Sequence, residues 1–258
     1  MVFKSAELIQ FAGVFLLPLF RVAGLVMTAP VFGAKTVPIR VRLGISVAIT
    51  VLLLPLLPAP PAVDVFTPVM VLTIGMQLLI GVLMGFALQL VLGAVITGGQ
   101  VVAMQMGLGF AAMVDPQNGA QTPVLSQFYV VMVVLVYLAL NGHLVLFEVL
   151  ADSFTWMPVS QAGLVFTDFE ALVRWGGILF SGALGLAIPA IASLLIVNFT
   201  FGIMTRAAPQ LNIFAVGFPI TMMLGFGVIF ATLPSVIPHS SDMFNSAYQF
   251  IKTVLGGA

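Results

Sequence analysis

The feature that most constrains this chain is the spacing of its charges. From Asp64 to Asp115 the sequence runs for about fifty residues without one, and further neutral gaps separate Asp115 from Glu148, Arg174 from Arg206, and Arg206 from Asp242. A helix crosses a hydrocarbon core about 30 Å thick with about 20 apolar residues, so each gap has room for at least one crossing. A soluble domain carries about a quarter of its residues as Asp, Glu, Lys or Arg. Here 6% are charged and 61% hydrophobic over 258 residues, so the chain belongs in a membrane or inside an apolar assembly. Lipid offers no hydrogen bonds, which leaves helices or a closed barrel, and runs this long and continuous do not alternate as barrel strands do. The expected fold is all-α: polytopic, hydrophobic helical hairpins in one membrane-associated domain, residues 1–258.

Pro, Gly and Asn clusters punctuate the apolar sequence and predict about six long helices, at roughly 8–30, 43–63, 69–97, 124–150, 175–200 and 211–234. The breaks fall at Pro30 to Arg42, the Pro55/Pro58/Pro60/Pro61 cluster, Gly98 to Pro123, Asp152 to Glu170, and Arg206 to Asn212. Basic residues near segment ends favour the cytoplasmic side, so Lys35, Arg40 and Arg42 place the first connection inside. Alternation then puts both termini outside. Lys4 precedes an apolar run, but Glu7 intrudes, Arg21 follows and no small-x-small site lies after Phe20, so no cleaved signal is expected.

Eight basic and eight acidic residues cancel, leaving no global field to gather nucleic acid. The absence of cysteine removes disulfides, thiolate metal sites and Cys nucleophiles. No Gly-x-Ser-x-Gly, His-Glu-x-x-His or Walker lysine motif occurs, so neither a catalytic site nor a cofactor is expected. The chain has 22 Phe against two Trp and three Tyr, a thin supply for headgroup belts, which favours apolar surface facing protein. Small residues recur at helical spacing in Gly81-x-x-x-Gly85, Gly99-x-x-x-Ala103-x-x-x-Gly107 and Ser181-x-x-x-Gly185. Such ridges let helix backbones approach closely, although 25 glycines produce some such spacings by chance.

Four places carry unusual chemistry. The stretch 105–123 holds Gly107, Leu108, Gly109, Phe110, Met113, Asp115, Pro116, Asn118, Gly119 and Pro123. Gly107 and Gly109 can take positive φ, Pro116 pushes Asp115 out of helical geometry, and Asn118-Gly119 is a turn pair. This is too apolar for an ordinary solvated loop, and irregular backbone at membrane depth needs protein or water around it. It reads either as a loop in or over a conduit or as a surface connection, with Asp115 fixing the turn or acting on a proton or ion. Met104 and Met106, with Met113, could form a deformable seal or simply fill the core. Arg21 lies within the first apolar segment, where facing lipid costs roughly 2.5–3.5 kcal/mol. It needs a carboxylate, backbone carbonyls or water, and Glu148, Asp152 or a neighbouring subunit could serve. Asn141-Gly142-His143, followed by Glu148, reads as a bend with a hydrogen-bonded His; a proton relay or half a metal site is the sharper alternative. Arg206 marks the tip of the last hairpin.

The order Met106-Gly-Leu-Gly-Phe-Ala111, Val114-Asp-Pro116, Pro123, Leu140-Asn-Gly-His143, Asp152-Ser-Phe154 and Pro158, with Arg21, the Pro30-x-Phe-Gly33 turn and Pro38-x-Arg-x-Arg-x-Gly44, resembles the FliR/SctT family of type III secretion export-gate subunits. The resemblance covers essentially the whole chain. It implies a noncatalytic subunit of the bacterial inner-membrane export gate at the flagellar basal body. Its partners there would be FliP-like and FliQ-like subunits, adjoining FlhB-like and FlhA-like components, and its substrates unfolded flagellar proteins. It further implies hairpins packed largely on sister subunits, a pore plug mapping onto Gly107 to Pro123 with Phe110 and Met113 as its apolar stoppers and Asp115-Pro116 fixing its turn, and a FliQ-like hairpin within 175–258. The reading kept beside it is a stand-alone small-molecule or ion transporter using Arg21, Asp115 and Glu148 as pathway charges.

Overall fold

A computed structural model describes residues 5–57, 67–108, 124–159, 163–207 and 213–256 of the chain. Among them all regular structure is helical: α1 Ser5–Thr28, α2 Ile39–Leu53 with a 3-10 turn Leu54–Leu56, α3 Pro68–Gln105, α4 Val124–Ala139, α5 Gly142–Trp156, α6 Phe166–Trp175, α7 Ile178–Ala207 and α8 Ile213–Gly256. The expected all-α, polytopic architecture is what is seen. Among the described residues four stretches are long and apolar enough to cross a membrane: Ile39–Leu56, Pro68–Gln105, Phe166–Ala207 and Pro219–Gly256. The pair α4 and α5 makes a fifth if counted as one broken span.

The helix ends follow local chemistry. Pro38, with extended backbone at φ −59° and ψ 144°, precedes α2. Pro55 falls in the 3-10 turn that closes it. At the start of α6 the carboxylate of Asp168 accepts from the Val165 N–H at 2.8 Å, occupying a donor that the helix leaves free. Several predicted boundaries move. α3 continues through Gly98-Gly99 to Gln105, because those glycines are contact points rather than breaks. A Cβ on Gly98 would lie 3.0 Å from the Ala183 carbonyl oxygen, and one on Gly99 would lie 2.7 Å from Ser126 Cα. α8 continues past 234 through Pro234 and Pro238 to Gly256. The stretch 166–175, which straddles the end of the expected Asp152 to Glu170 break, is a helix whose Glu170 and Arg174 pair at 2.7 Å one turn apart.

The chain divides into two compact units. The first comprises Met1–Leu90, Leu140–Gly176 and Asn245–Ala258. Its interior is built from Leu17, Leu25, Ile80, Met84, Leu150, Phe154 and Ile251, all almost fully shielded. Here α1 and α3 touch backbone to backbone: a Cβ on Gly81 would collide with the Arg21 carbonyl, and one on Gly24 would lie 2.5 Å from the Leu78 carbonyl oxygen. The Gly81-x-x-x-Gly85 spacing is therefore a true close-packing ridge. The second unit comprises Val91–Ala139 and Gly177–Phe244. Its core combines Val95, Val102 and Ala103 of α3, Tyr129 and Val133 of α4, Ala187 and Leu194 of α7, and Val236 and Met243 of α8. Gly182 of α7 admits the Met243 thioether, and Gly185 admits the imidazole of His239, whose Nε2 lies 3.3 Å from the Gly182 carbonyl oxygen. In the Ser181-x-x-x-Gly185 spacing it is Gly182 and Gly185 that make contact, while Ser181 is exposed.

Candidate functional site

The end of α3 and the start of α4, which flank residues 109–123, lie in the second unit. α3 ends in a reciprocal turn: Leu108 N–H donates to the Ala103 carbonyl at 3.0 Å and Gly107 N–H to the Met104 carbonyl at 3.0 Å. Gly107 itself is left-handed at φ 82°. This is the Schellman pattern, which satisfies orphan carbonyls and requires a residue without a Cβ penalty at that position. The positive φ expected at Gly107 is thus present. Gly109, Phe110, Met113, Asp115, Pro116, Asn118, Gly119 and Pro123 lie outside the described residues.

On the return side, α4 begins at Val124. Its first turn places Ser126 against Gly99 of α3. Sequence reasoning missed this contact, because Gly99 was read as part of the break; the only signal was its place in the small-residue ridge. The two methionines differ. Met106 is fully buried, and its thioether occupies the space a side chain on Gly225 of α8 would need, with Cγ and Cε 2.7 Å from such a Cβ. Within this chain Met106 is core. Met104 is 59% exposed and free to meet something outside it. The end of α3 and the start of α4 thus form a close junction, with Met106 and Gly225 joining α8 to it. Arg206, exposed in the last turn of α7, is suitably placed for the negative end of that helix.

In the first unit Arg21 is fully buried, and among the described residues none of its partners is a carboxylate. Nε donates to Gln77 Oε1 at 2.8 Å, one terminal nitrogen donates to the Ser153 carbonyl at 2.7 Å and to Ser153 Oγ at 3.2 Å, and the other donates to the Met157 carbonyl at 2.8 Å. The guanidinium carbon stands 4.2 Å over the centre of the Phe154 ring. The expected candidates Glu148 and Asp152 are both exposed instead. The physical reason is the end of α5: the Met157 carbonyl lies just past the helix, the Ser153 carbonyl has a second lone pair beside the one that accepts from the Met157 N–H at 3.0 Å, and both sit at the negative end of the helix dipole, so they receive a cation without a buried carboxylate. Gln77, the other partner, was not singled out from the sequence, though an amide side chain in an otherwise apolar run is a readable signal.

The Asn141-Gly142-His143 turn breaks the fourth apolar segment, as expected. Asn141 is left-handed at φ 58°, a conformation Asn tolerates better than most residues. The Tyr248 hydroxyl donates to the Gly142 carbonyl at 2.8 Å, tying the turn to α8 within the unit. The expected hydrogen bond to His143 is not made at Nδ1, which is buried without a partner. Among the described residues no three of His, Asp and Glu gather into a metal-binding group. What the geometry organises is helix ends and close helix contacts.

Comparison with known proteins agrees with an architecture of packed apolar helices. The family described as bacterial export proteins, family 1, matches residues 12–247. The flagellar biosynthetic protein FliR of Pectobacterium carotovorum is 36% identical over 253 residues, covering 98% of this chain and 97% of that protein. FliR of Escherichia coli K12 is 36% identical over 251 residues, covering 97% and 96%. FliR of Bacillus subtilis is 29% identical over 244 residues, covering 93% and 94%. With a family match across most of its length and relatives above 30% identity from end to end, the chain belongs to the bacterial export proteins of family 1, as a multi-pass membrane component of flagellar protein export.

Proposed function

We propose that this chain is a structural and gating subunit of the flagellar type III export gate in the bacterial inner membrane. In this reading it joins FliP-like and FliQ-like subunits, adjoins FlhB-like and FlhA-like components, and lines the path of unfolded flagellar substrates. The observation that carries it is the end-to-end likeness to flagellar FliR proteins. Uncovered apolar helix faces support it: Phe180, Leu184, Ile188 and Phe199 on α7, and Met223, Phe226 and Phe230 on α8, all project outward. Contiguous apolar surface of this kind belongs against lipid or sister helices. In this reading residues 107–123 plug the pore, Met104 contributes to a seal, and the α7–α8 hairpin acts as a FliQ-like element.

Copurification in mild detergent tests the reading. A large, stable complex with small helical-hairpin membrane proteins is the expected result. A monomer or homodimer that moves a small solute by itself would replace it with the transporter reading.

A further inference from the structure

The turn after α1 and the exposed start of α2 concentrate positive charge that no ion pair among the described residues neutralises. Lys35, Arg40 and Arg42 are three of the eight basic residues, and the nearest acidic residues in sequence are Glu7 and Asp64. Lys35 and Arg40 are exposed, and among the described residues neither has an ion-pair partner. Arg42 folds back on the turn, donating through Nε to the Val37 carbonyl at 3.1 Å and through a terminal nitrogen to the Ala34 carbonyl at 2.7 Å. These bonds, with Val37 N–H donating to the Ala34 carbonyl at 2.9 Å, fix the backbone that carries Lys35. Helix stability does not account for the charges, since a helix start favours acidic residues and the first turn of α2 has none.

Past its cationic end α2 is apolar and bare. Of its membrane-length window Ile39–Leu56 only 11% is buried within the chain, and Val47, Val51, Leu52 and Leu56 all project outward. A bare apolar rod with unpaired cations at one end only is complementary to a leaflet of anionic phospholipid, with hydrocarbon along the rod and phosphodiesters at the charges. Lys35 and Arg40 sit on long stems, which lets their heads follow a mobile headgroup while the stems remain in apolar surroundings.

We propose that the 34–42 turn and the exposed flank of α2 form a docking surface for anionic phospholipid. Lys35 and Arg40 engage the phosphodiester, Arg42 positions the turn, and the acyl chains lie along Val47 and Val51. The proposal rests on the membrane-embedded reading of the chain.

The test titrates the delipidated full chain, in neutral detergent, with short-chain phosphatidylglycerol and in parallel with phosphatidylcholine, counting retained lipid by native mass spectrometry. Phosphatidylglycerol should bind more tightly. Its affinity should fall about fivefold for each charge removed and about twenty-five-fold in the double variant Lys35→Gln/Arg40→Gln. Lys35→Arg/Arg40→Lys should retain the preference, and Lys252→Gln, which removes an exposed charge elsewhere, should leave it unchanged. Equal affinity for the two lipids, or a preference that survives the double variant, overturns the proposal. If lipid preference is absent and the double variant instead loses its copurifying hairpin proteins, the surface belongs to a protein partner and the proposal also fails. Absent preference in a chain that still copurifies as a large complex rejects this surface alone and leaves the gate reading standing.

Discussion

Arg21 and Gln77 meet at 2.8 Å inside the first unit, Nε donating to Oε1, and neither side chain reaches water. The bond ties α1 to α3, and the remaining Arg21 donors tie both to the end of α5. Arg21→Ala leaves the buried Gln77 oxygen without its donor, at about 1–3 kcal/mol, and removes a donor from the part-buried Met157 carbonyl as well. The expected outcome is a lower melting temperature in detergent and a reduced yield of assembled complex, with normal export by whatever complex forms. Arg21→Lys should fall between, because one ammonium cannot reproduce the planar fork or its position over Phe154. Normal complex yield with lost export would assign Arg21 to the transport path instead.

Two glycines on α3 should respond to alanine with opposite signs. Gly81→Ala drives a methyl into the Arg21 carbonyl, part of a backbone that cannot rotate away, whereas Gly75→Ala meets nothing within 4 Å. The second change gains helix propensity of about 0.8–1 kcal/mol. Melting in one detergent should therefore drop for Gly81→Ala and hold or rise for Gly75→Ala. Equal responses would show that α1 and α3 do not approach at Gly81.

The left-handed backbone at Asn141 gives a sharper contrast still. Asn141→Gly should be close to neutral, while Asn141→Val places a β-branched side chain at φ 58° and costs about 1–2 kcal/mol. Tyr248→Phe removes the hydroxyl bonded to the Gly142 carbonyl and should lower the melting temperature by a smaller amount. Unchanged melting of Asn141→Val would remove the break from this residue.

The membrane-scale pattern was legible because it depends on where charges cannot go: among the described residues each of the six apolar segments is largely helical, the fourth as the two helices α4 and α5. The boundaries were less so. Gly98 and Gly99 have the composition of a break, yet a glycine at a helix contact and a glycine in a turn are indistinguishable until the facing helix is known. The partners of Arg21 escaped for a related reason: the sequence displays carboxylates, whereas the acceptors are carbonyls at a helix end, which every residue carries. Gly107 could be read correctly because a glycine followed by further turn residues is a local C-terminal signal. Ser126 and Gly225 could not, since their importance lies in what they face across the second unit.

The stem contacts make a loop experiment interpretable. The Schellman turn at Gly107, the Gly99–Ser126 approach and the Met106–Gly225 contact all lie outside residues 110–118, so shortening that stretch leaves each in place. The subunit should then assemble normally, and any change in the pore is attributable to the loop. If residues 107–123 plug a gate as proposed, the assembled complex with the shortened chain, reconstituted in a planar bilayer, should pass ions or small solutes that the complex with the intact chain holds back. Gly107→Val should leak less, because it strains the exit of the loop by about 1–2 kcal/mol without removing the apolar residues beyond it. Conductance equal to that of the intact gate, in a complex shown to contain the shortened chain, would sink the plug assignment. It would return residues 107–123 to the status of an ordinary connection between α3 and α4.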